Sequence, residues 1–139
     1  MATKITFKPK QITKKILDTL PERARDIVVN RYGLGDSDEK QTLESIGKKY
    51  DITRERVRQI EEYSLSNIRK SPEFKNLSPV FDELKSIVAT LGGVVDEVEL
   101  LDAISTNKSI QNHIHFLLVL GDPFVRLKEN NDFTCRWCV

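Results

Sequence analysis

Cysteine is nearly missing from this chain: two occur in 139 residues, Cys135 and Cys138, both among the last five. That scarcity excludes a disulfide-stapled scaffold and makes a reducing cytoplasm the default compartment. Long apolar runs are missing too. None approaches the ~18–20 residues of a membrane-spanning helix, so no membrane partner is expected. The opening Met1-Ala2-Thr3-Lys4-Ile5-Thr6-Phe7-Lys8 has neither the apolar block nor the small-residue cleavage site of a secretory signal. Catalytic signatures are also lacking: no Gly-rich phosphate loop, no nucleophile elbow, no His-Glu metal helix. The carboxylates fall on amphipathic helices or loops, where a solvated surface role is expected. Neither an enzyme nor a small-molecule substrate nor a cofactor is anticipated.

What is present is a globular balance, with 39% hydrophobic and 31% charged residues. That composition supports one ordinary domain or two small ones rather than disorder. The net charge of +1 conceals an asymmetry. Residues 1–72 hold 16 Lys and Arg against 11 Asp and Glu, a net +5, whereas residues 73–139 hold 6 against 10, a net −4. A basic half suits a polyanion, and an acidic half suits something else.

Periodicity predicts a mainly α-helical fold. Residues 1–10 read as a loose basic arm. Ile12, Ile16, Leu17 and Leu20 recur at helical spacing. Pro21 suits the first turn of a second helix carrying Ala24, Ile27 and Val28, with Gly33 as its stop. Thr42 is the expected N-cap of a third helix with Leu43, Ile46 and Tyr50 inward, and Tyr50-Asp51-Ile52 forms a turn. Thr53 caps a fourth helix running to about Lys70, with Ile52 and Val57 as a hydrophobic staple. Two helices joined by so short a stapled turn make a helix-turn-helix.

The fourth helix can be tested by geometry. At about 100° per residue from Arg54, Arg58 falls near 40°, Glu55 near 100° and Gln59 near 140°. Val57, Ile60, Ser64 and Ile68 gather between about 240° and 320°. One side is therefore apolar or small, and the other presents Arg54, Glu55, Arg58 and Gln59 from the first two turns. These are the side chains that major-groove reading requires. Arginine pairs with guanine O6 and N7, glutamine with adenine, and glutamate accepts from the cytosine amino group. The competing reading is a solvated helix with salt-bridged surface charges; the stapled turn and apolar back favour the DNA reader.

The stretch Thr42-Leu43-Glu44-Ser45-Ile46-Gly47-Lys48-Lys49-Tyr50-Asp51-Ile52-Thr53-Arg54-Glu55-Arg56-Val57-Arg58-Gln59-Ile60-Glu61 resembles the helix-turn-helix of region four in bacterial primary sigma factors. Leu20-Pro21-Glu22-Arg23 through Arg31-Tyr32-Gly33-Leu34 resembles the first half of that region. The resemblance covers about residues 18–70. It implies binding to the upstream (−35) element of double-stranded promoter DNA and docking on the β flap of core RNA polymerase. It also implies base reading by Arg54, Glu55, Arg58 and Gln59, and phosphate contacts from Arg23, Arg31 and Arg56. Thr42, Leu43 and Glu44 begin the third helix, whose N–H groups and dipole can hold a phosphate. Two departures stand out. Tyr63 and Ser66 replace residues that are commonly basic in the family, and nothing resembles sigma region two, which strong polymerase binding and promoter melting require.

After a linker at residues 71–78, Phe81, Leu84, Ile87, Val88 and Leu91 mark one helix closed by Gly92-Gly93. Val95, Val98, Leu101 and Ile104 suggest a second. Ile110, Ile114, Leu117 and Leu118 suggest a third, closed by Gly121. Residues 124–128 and 133–137 alternate as strands around the turn Glu129-Asn130-Asn131-Asp132. Helices followed by a hairpin give winged-helix order. Residues 79–139 resemble the HARE-type winged helix found at the N-terminus of the polymerase δ subunit, through Phe81-Asp82-Glu83-Leu84, Gly92-Gly93, His113–Phe116 and Trp137. Its acidity disfavours DNA and favours a protein partner, although Arg126, Lys128 and Arg136 offer the hairpin a DNA contact.

Cys135-Arg136-Trp137-Cys138 has the spacing of half a zinc site. On a strand, however, the two cysteines face opposite sides, and His113 and His115 would have to complete the set. No metal is expected. The expected domains are residues 1–17 as arm and leading helix, 18–72 as helix-turn-helix, and 79–139 as winged helix. The expected function is sequence-specific DNA binding in transcription initiation. The alternatives are a stand-alone regulator, a polymerase accessory protein without sigma activity, or a DNA-targeting piece of a longer protein, the last suggested by a chain that stops two residues past Trp137.

Overall fold

The structure, a computed structural model, describes residues 5–121, 125–127 and 136–138. The order is α1 Pro9–Leu17, α2 Glu22–Tyr32, α3 Leu43–Tyr50, α4 Arg54–Lys70 and α5 Pro72–Lys75. It continues with α6 Ser78–Thr90, β1 Val94–Asp96, α7 Glu97–Ile104, α8 Lys108–Leu120, β2 Val125–Leu127 and β3 Arg136–Cys138. The fold is mainly helical, as expected. Residues 10–76 form one unit; the described residues of 1–9 and 77–139 form another.

In the first unit, Gly33 ends α2 in the left-handed region at φ 67°, which an L side chain disfavours. Ile27, Ile46 and Val57, one from each of α2, α3 and α4, make a fully buried cluster, with Leu43, Tyr50, Ile52 and Ile60 packed around it. Ile52 beside Val57 is the anticipated staple. Residues 71–78 are not a bare linker: Ser71 Oγ accepts the Phe74 N–H at 3.3 Å and caps α5, whose first residue is Pro72.

In the second unit, β3 lies between β1 and β2 in an antiparallel sheet of order β1-β3-β2, with Val95 opposite Trp137 and Arg126 opposite Trp137 on the other side. The unit thus combines α6, α7 and α8 with this three-stranded sheet. Three details differ from the sequence pattern. The predicted loose arm over residues 1–10 is tied down at Thr6, whose N–H and hydroxyl donate to the two carboxylate oxygens of Glu83 at 2.8 and 2.9 Å, and α1 already begins at Pro9. The expected helix through Val95 is split, because Val94–Asp96 pair as a strand and Asp96 caps α7 by accepting the Glu99 N–H at 3.3 Å. The inward residues of α7 are consequently Leu100 and Ile104, while Val98 is 65% exposed. Leu91, expected inward, is also exposed.

Trp137 is buried, and its Nε1–H donates to Glu97 Oε1 at 3.1 Å, fastening β3 to α7. His115 lies edge-on to the Trp137 ring, with centroids 6.1 Å apart. The expected turn at 129–132, Lys128 and Cys135 fall outside the described residues. Among the described residues, no group of three or more His, Cys, Asp or Glu could hold a metal ion, and no helix is long and apolar enough to cross a membrane.

Candidate nucleic-acid interface

The turn between α3 and α4 fixes how α4 is presented. Thr42 Oγ1 accepts the Ser45 N–H and Thr53 Oγ1 accepts the Arg56 N–H, both at 3.1 Å, so each helix starts where a side chain satisfies its first turn. Asp51 closes α3 at φ 56°, one of the few residue types that tolerate that region. Gly47 permits the close approach: a Cβ there would stand 2.7 Å from the Ile52 carbonyl oxygen. The Ile52 N–H returns a bond of 2.9 Å to the Gly47 carbonyl.

This turn buries Val57, Ser64 and Ile68 on the back of α4 and half-buries Ile60, the face predicted from its periodicity. Arg54, Glu55, Arg58 and Gln59 all lie exposed on the leading two turns. Leu65 is buried although it returns to nearly the angle of Arg54. Neither Arg58 nor Gln59 is packed inside.

The exposed quartet is already organised electrostatically. Arg58 Nε donates to Glu55 Oε1 and Oε2 at 3.2 and 3.0 Å, and its Nη2 also donates to Oε1. Its Nη1 donates to Glu62 Oε1 at 2.6 Å. These donors hold the Glu55 carboxyl below its ordinary pKa, and the two carboxylates, Glu55 foremost, push the guanidinium pKa up. Arg54 adds a smaller pull on Glu55. Arg56 Nη1 reaches Gln59 Oε1 at 3.5 Å.

The expected phosphate contacts divide. Arg56 is exposed, and so is Arg23, which donates to the Tyr50 carbonyl at 3.3 Å and sits 5.5 Å from the centroid of its ring. Thr42, Leu43 and Glu44 occupy the cap and first turn of α3, with Glu44 3.6 Å from Lys48. Arg31 is also engaged within the fold. It donates to the Gln41 carbonyl at 3.1 Å and pairs with Glu61 at 3.5 Å, and Glu61 also accepts the Tyr32 hydroxyl at 2.8 Å. This network joins α2 to α4 and to the end of the loop between α2 and α3. Sequence reasoning overlooked Glu61 and Glu62, although the four-residue step from Arg58 to Glu62 was a readable signal.

The segment that builds this surface has known counterparts. Residues 16–70 match the family model "Sigma-70, region 4". That segment is similar to Sigma-70 region 4. The RNA polymerase sigma factor RpoD of Helicobacter pylori is 44% identical over 61 residues, covering 44% of this chain and 9% of that protein. The RNA polymerase sigma factor SigA of a Nostoc species is 50% identical over 56 residues, 40% of this chain and 14% of that protein. The chain thus spans about a tenth of the length of the curated relatives it matches. The region 4 match includes Arg54, Glu55, Arg58 and Gln59.

Proposed function

We propose that this protein binds promoter DNA sequence-specifically in transcription initiation, recognising a −35-type element with the leading turns of α4. Arg54, Glu55, Arg58 and Gln59 read base edges. Arg23, Arg31, Arg56 and the start of α3 at Thr42, Leu43 and Glu44 position the phosphate backbone. The observation that carries this reading is the division of α4 into a buried back and an exposed front of groove-reading side chains held by a rigid turn. The protein also docks on RNA polymerase through its β flap, in the cytoplasm. Residues 79–139 act as a HARE-type winged helix whose acidity suits a protein partner.

The test is selection of bound duplexes from a randomised library with the full chain, followed by titration of selected and scrambled duplexes. Arg58→Ala is expected to weaken the selected duplex roughly ten- to a hundredfold and to relax its sequence preference, with a smaller loss on the scrambled duplex. Equal losses on both would overturn base reading by Arg58. Pull-down with core polymerase, and with polymerase whose β flap is deleted, tests docking. Selective duplex binding without polymerase capture would identify a regulator that works at its own operator.

A further inference from the structure

Arg58 is held from two directions, and this constrains how it can reach a base. A guanine takes two parallel N–H groups from one edge of a guanidinium, either Nε with Nη2 or Nη1 with Nη2. Glu55 occupies the first edge entirely. On the second edge Glu62 takes Nη1, while Nη2 keeps the N–H that faces away from Glu55. In the unbound protein the Nε–Nη2 edge of Arg58 is closed to a base, and the other edge has a carboxylate on one of its two nitrogens. The arrangement is intrinsic to the helix, because positions 55, 58 and 62 are three and four residues apart on one face.

We infer that Glu62 is a specificity-determining positioning residue, which makes base reading by Glu55 and Arg58 a joint event. The inference rests on the DNA-reading role proposed for α4. When a cytosine amino group takes the Glu55 carboxylate, the Nε–Nη2 edge of Arg58 opens towards a guanine. Glu62 stays on Nη1 and fixes the plane of the guanidinium. Without that cytosine, Glu55 remains on Arg58 and the Nε–Nη2 edge stays closed to the guanine. Glu62 thereby also withholds Arg58 from indiscriminate phosphate binding. Exposed ion pairs are weak, so the effect is graded rather than absolute.

The experiment uses the full chain, the duplex selected by the wild type, duplexes altered singly and jointly at the two bases read by Glu55 and Arg58, and a scrambled duplex. Glu62→Gln is expected to tighten the scrambled duplex about two- to fivefold while the selected duplex stays roughly unchanged, so that discrimination falls. Non-additivity between the two base positions should fall with it. Glu62→Asp retains the charge but shortens the reach by one methylene, and it should reproduce the loss of discrimination. Unchanged discrimination in both variants would overturn the inference, as would Glu62→Gln tightening both duplexes equally while Glu62→Asp behaves as wild type. A wild type that selects no sequence would overturn the DNA-reading role itself, a failure distinguishable from the others. Helix content by circular dichroism monitors folding, which a substitution on this exposed face is expected to spare.

Discussion

At the scale of single residues, Ser64 and Tyr32 show how burial changes the meaning of a polar group. Ser64 Oγ is buried on the back of α4 and has no hydrogen-bond partner among the described residues. A buried unsatisfied hydroxyl costs about 1–3 kcal/mol, and alanine is the better helix former. Ser64→Ala is therefore expected to stabilise the first unit by roughly 1 kcal/mol in a urea titration. The Tyr32 phenol behaves differently. Burial, then the Glu61 carboxylate it donates to, pushes its pKa well above the ordinary tyrosine value. The folded chain thus keeps a proton that the unfolded chain releases near pH 10. Stability from this group is complete below about pH 10 and declines as the pH rises beyond it. Tyr32→Phe should cost roughly 1 kcal/mol at neutral pH yet flatten the alkaline decline. Some decline should persist, because Tyr50 is also shifted upward, by burial first and by Asp26 next.

At the scale of elements, the α3–α4 turn depends on Gly47. The atom that an added methyl would meet is backbone and cannot swing aside. Gly47→Ala is expected to destabilise the first unit by about 1–3 kcal/mol in thermal or urea melts, and to weaken duplex binding by changing how α4 projects. The same elements show what could be read in advance. Thr42, Thr53, the staple and the periodicity of α4 are local signals, so the helix-turn-helix and the exposed quartet were legible in sequence. β1 was not, because Val94-Val95-Asp96 runs directly into α7 and acquires strand character only by pairing with β3. Arg31 was legible as a cation but not as a member of an internal network, since Gln41 and Glu61 reach it only after α2 and α4 meet. At α5, Ser71-Pro72 correctly marked a stop; the same pair also caps a new helix.

At the scale of the whole molecule, the sole tryptophan offers a way to separate the two units. Trp137 is buried in the second unit and therefore reports on that unit, whereas far-ultraviolet circular dichroism senses helices in both. Each unit has its own core, so the two signals are expected to give non-coincident urea transitions. Gly47→Ala should move the circular dichroism curve to lower urea and leave the tryptophan transition in place. Coincident wild-type transitions would show that the units unfold together. The charge asymmetry matters at this scale too: duplex binding should weaken steeply with added salt, because the proposed phosphate contacts all lie in the basic half.

The central position of β3 imposes an order of events on biosynthesis. Glu97 leaves the ribosome well before Trp137, the residue 40 positions later that its carboxylate binds. Codons for the helix-turn-helix have all been translated by then, so that module can settle cotranslationally while β1 waits exposed. A nascent chain arrested before Arg136 is expected to carry a closed helix-turn-helix and an unpaired β1.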